Sequence, residues 1–208
     1  MPFDGIPFAA LDFYEDLEAD NSRTWWLEHK HVYDEQVRAP IEALGAELED
    51  EFGPAKVFRP YRDVRFAKDK TPYKTHQGAW FGESHRYLHV SAAGLFVAGG
   101  YWHMSSAQVG RLRRAVADDV AGAALETALA DRAVRRLEVG GEMLTRVPSG
   151  FDKNHPRADL LRRKALTVGR DLGFPAWLPT RRTLTEVRRQ WRAMEPVVVW
   201  LDQHVGED

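Results

Sequence analysis

The sequence predicts an α+β fold, a central antiparallel sheet flanked by helices from the N- and C-terminal parts. Two observations carry this. Apolar residues recur at helical steps of three and four in residues 8–52, 105–136 and 184–205. Between the first two stretches, residues 57–101 break into short aromatic or β-branched runs separated by Gly and polar turns, the pattern of an antiparallel meander.

The elements follow in chain order. Phe8, Leu11, Tyr14 and Leu17 mark a short amphipathic helix. Asp20-Asn21-Ser22 is a helix-start cluster. Past it, Trp26, Tyr33, Val37, Ile41, Leu44, Leu48 and Phe52 share one helical face. Pro40 is expected to kink this helix or to open a second one, because proline is tolerated best in a first turn. Gly53-Pro54 ends the helical region. Strands are expected at Val57–Phe66, Gly78–Gly82, Arg86–Ser91 and Leu95–Tyr101. Gly99-Gly100 marks a bulge or close backbone approach. Ser105-x-x-Gln108 has capping-box form, with Val109, Leu112, Val116 and Val120 expected as the buried stripe behind it. Leu125, Leu129 and Ala133 continue as a helix to about residue 136. A strand over 142–147, a helix over Pro156–Lys164 and a strand over Leu166–Gly169 follow. The last helix carries Leu184, Val187, Trp191, Met194, Val198, Leu201 and Val205. That spacing fits a coiled-coil seam or a helix lying on a core, and Pro196 favours the core. Thr183-x-x-Glu186 is a candidate cap.

Composition narrows the class. A chain of 208 residues with 44% apolar and 29% charged residues fits a single globular domain over 1–208. No apolar run reaches the roughly 18–20 residues of a membrane helix, and no basic-then-apolar leader is present. With no Cys, disulfides, thiolate nucleophiles and Cys-ligated metals are excluded. A cytoplasmic location is the default expectation.

The net charge of −2 conceals a strong asymmetry. Residues 1–55 hold fourteen acids and three bases, whereas residues 56–76 hold seven bases and two acids. Residues 153–170 and 181–192 are also basic. The chain has 22 Arg and 7 Lys, and four of those lysines (Lys56, Lys68, Lys70, Lys74) fall within residues 56–74. Arg offers a planar fork for carboxylate or phosphate, while Lys is a compact charge whose pKa moves on burial. Either the basic segments meet an anionic partner, or they face the acidic helices within the fold.

The informative stretch is Arg59–His76. As a strand it would place Arg59, Tyr61, Asp63 and Arg65 on one face, an acid between two forks. A turn stiffened by Pro72 would then present Lys68, Lys70 and Lys74 around Tyr73. The candidate ligand-binding set is Arg59, Arg62, Asp63, Arg65, Lys68, Lys70, Tyr73, Lys74 and His76, forming a site for a small anionic ligand, phosphate or carboxylate. Asp63, Tyr73, His76 or a lysine of lowered pKa are the candidates for proton transfer. The same residues, with Tyr61, Tyr73 and Trp80 as stacking groups, would also suit a nucleic-acid or protein-interaction module. The acidic N-terminal part counts against nucleic acid. A third reading is a purely structural ion-pair motif.

The run Arg59-x-Tyr61-Arg62-Asp63-x-Arg65-Phe66-x-x-Asp69-Lys70-x-Pro72-Tyr73-Lys74 resembles the signature of the domain of unknown function 2461 family. Asn21-x-x-x-Trp25-Trp26 with Lys30 and Tyr33, Tyr87-x-His89, Gly99-Gly100, Pro148-x-Gly150-Phe151-Asp152, His155-Pro156 and Leu161-Arg162-Arg163-Lys164 fit the same pattern in order. Ala67 stands where that family has Ser, and Trp26 where Phe is common. The resemblance spans nearly the whole chain. It implies a bacterial-type single-domain protein and brings no reaction with it.

Other chemistry finds no support. The eight histidines lack ligand spacing. His76, His89 and His103 are those a fold would most readily bring together, but no metal or other cofactor is expected. No Gly-x-Ser-x-Gly elbow, phosphate-binding loop or dinucleotide fingerprint occurs. The turn Phe151–Pro156 leads into a basic helix whose start would suit an anion, but its bases lie at the C-terminal end and favour plain capping. No catalytic residue is assigned, and the oligomeric state is not legible.

Overall fold

The first helical body is set by Ser22, whose hydroxyl accepts the Trp25 amide at 3.2 Å and so starts α2. In the computed structural model, which describes residues 2–65 and 68–206, the helices of the N-terminal part are α1 (Ala9–Ala19), α2 (Arg23–Val32) and α3 (Ala39–Phe52). Between α2 and α3 the helical run is continuous, and Pro40 stands in the first turn of the second helix, α3. The run widens into a π-helical turn over Tyr33–Arg38, with the Ala39 amide donating to the Asp34 carbonyl. Pro40 explains the widening: it has no amide to donate to the Gln36 carbonyl, and its ring would strike that carbonyl in a regular α-helix. Gly53, at φ +77°, ends α3 in a conformation that side chains rarely adopt.

The strands are β1 (Ala55–Val57), β2 (His76–Phe81), β3 (Arg86–Ser91), β4 (Gly94–Tyr101), β5 (Glu138–Gly140) and β6 (Leu166–Gly173). They form one antiparallel sheet in the order β1-β2-β3-β4-β6-β5. The remaining helices are α4 (Ser106–Ala117), α5 (Asp119–Ala130), the single turn α6 (Ala158–Leu161) and α7 (Arg182–His204). The α+β architecture is therefore that expected. The chain resolves into two compact units, Met1–Val97 with Asp171–Gln190, and Ala98–Arg170 with Trp191–Asp208.

In the first unit, β2 and β3 pair with His76 opposite Ser91, Gly78 opposite His89 and Trp80 opposite Tyr87. Alternation then divides the two faces. Ala79, Phe81, Leu88 and Val90 are buried, with α1 and α3 packed on these strands. Phe13, Tyr14, Leu17, Trp26, Ile41, Leu44 and Leu48 fill this core from the helices. Burying a side chain of this kind contributes about 1.5–3 kcal/mol. Gln77 is buried on the same face and is satisfied there. Its Oε1 accepts the Tyr33 hydroxyl at 2.6 Å, and its Nε2 donates to the Phe58 carbonyl at 2.8 Å. The opposite face carries His76, Trp80, Tyr87, His89 and Ser91, all half-buried.

Glu47 of α3 ties three segments of this unit. It accepts the Phe3 amide at 2.8 Å and both guanidinium nitrogens of Arg181, at 3.0 and 2.6 Å. The Arg181 hydrogen bonds, then the Phe3 amide, hold its carboxyl below the ordinary glutamate value. A depressed folded value contributes stability above the unfolded pKa of about 4.3, lost as pH falls through the folded value. Glu47→Gln is thus expected to melt below wild type at pH 7, and the gap is expected to close toward pH 3. Paired thermal melts across that range check it.

In the second unit, Ser105 and Gln108 form the reciprocal capping box the sequence announces. Asp118 ends α4 and caps α5 by accepting the Val120 and Ala121 amides, so Val120 starts a new helix and is exposed while Val109, Leu112 and Val116 are buried as expected. The two amide bonds hold the Asp118 carboxyl below the usual range. The Trp200 indole donates to the Ala121 carbonyl at 2.8 Å, and Gln108 Nε2 to Gly206 at 2.8 Å. The stripe of α7 is buried along its length, Leu184 and Val187 within the first unit and Trp191, Met194, Val198, Leu201 and Val205 within the second, as a helix on a core requires and a coiled-coil seam does not.

Several elements depart from expectation. The strand expected over Val57–Phe66 stops at Val57, since Pro60 cannot donate to a ladder and Asp63 turns the chain back on itself. Phe66 and Ala67 lie outside the described residues. The strand expected over 142–147 is a single bridge, Met143 to Arg163, and the regular strand is β5, earlier in the chain. That bridge also shortens the helix expected over Pro156–Lys164 to α6. The Leu144 amide bonds to the Arg162 carbonyl and the Lys164 amide to the Glu142 carbonyl, which draws Arg163 and Lys164 out of the helix. Thr183 is not a cap, because its hydroxyl donates to the Leu178 carbonyl at 2.8 Å. Glu186 pairs with Arg182 and Arg189 instead.

Candidate functional site

The basic motif is a long loop between β1 and β2, clamped at its base. Phe58 continues the ladder by one bond, donating to Gly78 at 2.9 Å. Tyr61 and Tyr73 then form one antiparallel bridge, with the Arg62 amide on Pro72 and the Lys74 amide on Pro60, both at 2.8 Å. Asn21 acts as a third strand in miniature. Its amide group donates to the Tyr73 carbonyl and its oxygen accepts the Tyr73 amide, each at 3.1 Å. The Tyr73 ring lies flat on Trp26, with centroids 4.1 Å apart and planes at 9°. The helix-start cluster that opens α2 thus also seats the motif.

Beyond the clamp, most charges satisfy one another. Arg62 reaches both Asp69 and the Thr71 hydroxyl. Asp69 also accepts the Thr71 amide at 2.9 Å. That amide first, with Arg62 and the hydroxyl, holds the Asp69 carboxyl down to about 2. Arg65 grips Asp63 with two nitrogens, at 3.0 and 2.7 Å, and this keeps Asp63 below the usual carboxylate range. Lys70 donates to the Val64 carbonyl at 2.9 Å. Lys68 is exposed, and Tyr73 is buried in its stack. Arg59, Tyr61, Asp63 and Arg65 do not line one face of a strand. They are distributed around a turn.

Three of the candidate cations stand apart. Lys74 leaves the clamp half-buried, its ammonium 5.3 Å from the centroid of the Phe58 ring. Among the described residues it has no carboxylate and no side-chain hydrogen-bond partner. Burial, and then the Arg59 charge, lower its pKa. Arg59 is exposed, and the acid it acts on, Asp63, is already held by Arg65. His76, at the start of β2, is half-buried, and burial followed by Lys74 lowers its pKa. Each positive or chargeable group here disfavours charge on the next, and no described acid sits between them.

The sheet extends this cluster with groups that the motif does not contain. His76 and His89 lie with ring centroids 5.1 Å apart. His89 stacks on Phe96 at 5.0 Å and 23°. Burial, with His76 adding to it and Asp171 opposing, pushes the imidazole down to about 4, so it is neutral at physiological pH. The Tyr87 hydroxyl, pushed up to about 12 by burial, is likewise neutral. Its ring lies across Gly78, where any Cβ would meet the Tyr87 oxygen at 2.8 Å and Phe58 at 3.1 Å. Tyr87 and His89 were visible in the sequence as alternate residues of an expected strand. What placed them beside His76 was the β2–β3 register. His103 belongs to the other unit and, exposed, has among the described residues a ring contact with Trp102 alone.

The second basic motif, in the other unit, is spent on structure. Arg162 donates to the Leu144 carbonyl at 3.0 Å, Arg163 to Gly140 at 2.6 Å, and Lys164 pairs with Glu142. Asp152 accepts the Asn154 amide and closes the preceding turn. Among the described residues no group of three histidines or acids is placed to hold a metal ion, and no helix is long and apolar enough to cross a membrane.

The fold and site define an α+β protein with a clamped basic loop opening onto a half-buried, histidine-bearing sheet face. The family model described as a conserved hypothetical protein, domain of unknown function 2461, matches residues 9–200, and the chain belongs to that family. Among curated proteins and among solved structures, nothing matches it at a significant level.

Proposed function

We propose that the protein binds a small anion, phosphate or carboxylate, at Lys74, with Arg59 and His76 beside it. One observation carries the reading: Lys74 is half-buried next to a second cation and faces no acid among the described residues. Such an arrangement is unfavourable in the free protein and is relieved when an anion arrives. The remaining charges of the motif have a different part. Arg62, Asp63, Arg65, Asp69 and Lys70 hold the loop in shape through their mutual bonds, so that the structural and anion-binding readings apply to different residues of one segment. A nucleic-acid surface is the weaker reading, because Tyr73 is stacked inside on Trp26 and only Tyr61 of the pair is exposed.

The test is a thermal-shift and calorimetric titration with inorganic phosphate and with acetate. Lys74→Ala is expected to weaken binding about tenfold or more, the loss of a charge-assisted hydrogen bond of roughly 1.5–3 kcal/mol. Arg65→Ala is expected to leave affinity within about threefold, which is less than 0.7 kcal/mol. Equal losses in the two variants, or no binding of either anion to the wild type, would overturn the assignment.

A further inference from the structure

The face beside Lys74 contains more unsatisfied hydrogen-bonding capacity than a bare anion uses. Among the described residues the Tyr87 hydroxyl and the His76 imidazole have no hydrogen-bond partner, and His89 Nδ1 is buried without one. Buried polar atoms are almost always paired in folded proteins, so the buried His89 Nδ1 calls for an explanation, and the half-buried Tyr87 hydroxyl and His76 imidazole beside it are open to a ligand. They are mutually close, with His76 5.1 Å and Tyr87 5.6 Å from the His89 ring. Gly78 stands directly opposite His89 on β2 and has no side chain of its own; the Tyr87 ring lies over it and His76 is the next residue of β2 on this face. Phe58 and Phe96 flank the patch with apolar ring surface.

We propose that the anion bound here is carried on a polyhydroxylated body, a sugar phosphate or sugar acid, whose hydroxyls pair with Tyr87, His76 and His89. The inference rests on the anion site at Lys74. Hydroxyl groups serve as both donors and acceptors, and so can satisfy a phenol and neutral imidazoles whichever tautomer each adopts. The C–H faces of a polyol suit the flanking aromatic rings. A simple alkyl anion would leave all three polar groups unpaired and would desolvate them at a cost. The two sources of this chemistry, phosphate ester and carboxylate, are separated by the probes.

The experiment compares matched pairs by calorimetry: ribose 5-phosphate against n-propyl phosphate, and gluconate against hexanoate. The wild type is expected to prefer the hydroxylated member of at least one pair by about tenfold or more, equivalent to one or two hydrogen bonds. Tyr87→Phe and His89→Phe keep the ring packing, and each is expected to remove most of that preference while leaving inorganic phosphate affinity unchanged. Equal affinity of the wild type for both members of both pairs would overturn the polyol assignment and leave the anion site standing. Loss of the preference by Lys74→Ala alone, with Tyr87→Phe and His89→Phe unaffected, would also overturn it. No binding of any probe, inorganic phosphate included, would instead remove the underlying anion reading.

Discussion

Trp26→Ala is expected to lower stability by about 3–5 kcal/mol, the usual cost of emptying a large buried aromatic site. Trp26 is 1% exposed. Its ring meets Tyr33 at 4.9 Å, Phe13 edge-on at 5.8 Å and Tyr73 face to face at 4.1 Å, and aromatic pairs contribute about 0.5–1.5 kcal/mol each beyond area burial. The substitution also removes the surface on which the Tyr73 end of the basic loop rests, so anion binding at Lys74 is expected to weaken with stability. Trp26→Phe separates the two effects. The indole nitrogen is buried with no hydrogen-bond partner among the described residues, so losing it relieves an unpaired donor. The phenylalanine variant is expected to stay within about 1.5 kcal/mol of wild type, the range for a conservative apolar exchange. Urea midpoints of the three proteins check this. An alanine variant as stable as wild type would show that the stack is not a seat for the loop.

The second large effect is expected in the other unit, at Arg157. Its side chain is 9% exposed, and the guanidinium bonds Glu126 at 2.8 Å, the Val116 carbonyl at 3.1 Å and the Asp118 carbonyl at 3.2 Å. It therefore closes the C-terminal end of α4, where carbonyls lack helical partners. Gly122 makes room for it, since a Cβ there would lie 2.6 Å from an Arg157 nitrogen. Arg157→Ala leaves the Val116 carbonyl unpaired, while the Asp118 carbonyl keeps the Gly122 amide at 2.9 Å, so the expected loss is about 1–3 kcal/mol. Arg157→Lys is expected to recover less than half, because one ammonium cannot span three acceptors in a planar fork. Denaturant melts measure the loss, and amide hydrogen exchange should show it concentrated in α4 and α5. Full rescue by lysine would mean that charge alone matters at this position.

These two residues illustrate different degrees of legibility. Trp26 sits in the apolar period of its helix, and the sequence marks it as core without further help. Arg157 lies in a basic stretch where the sequence offers no sign that it, rather than Arg162 or Lys164, closes a helix end. The same division holds at the candidate site. The segment Arg59–His76 stands out through its lysines, aromatics and proline. Its nine candidate residues look equivalent on paper, but the structure separates them. Arg62, Asp63, Arg65 and Lys70 have partners within the loop, while Arg59, Lys74 and His76 lie together without an acid between them.

By itself the sequence determined the class of fold, most of the helical faces and the caps at Ser22 and Ser105, and it singled out the segment Arg59–His76, because each is written in residues a few positions apart. Period, cap and turn chemistry act over one or two helical turns or a few strand residues. Only the tertiary structure decided which charges are spent, where the strand after Ala55 ends and which residues join the site. Charge pairing depends on how a turn folds back, as in Asp69 meeting Arg62. Neighbours across a sheet depend on register, as in His89 lying beside His76, and a shift of one residue would have turned His89 to the other face.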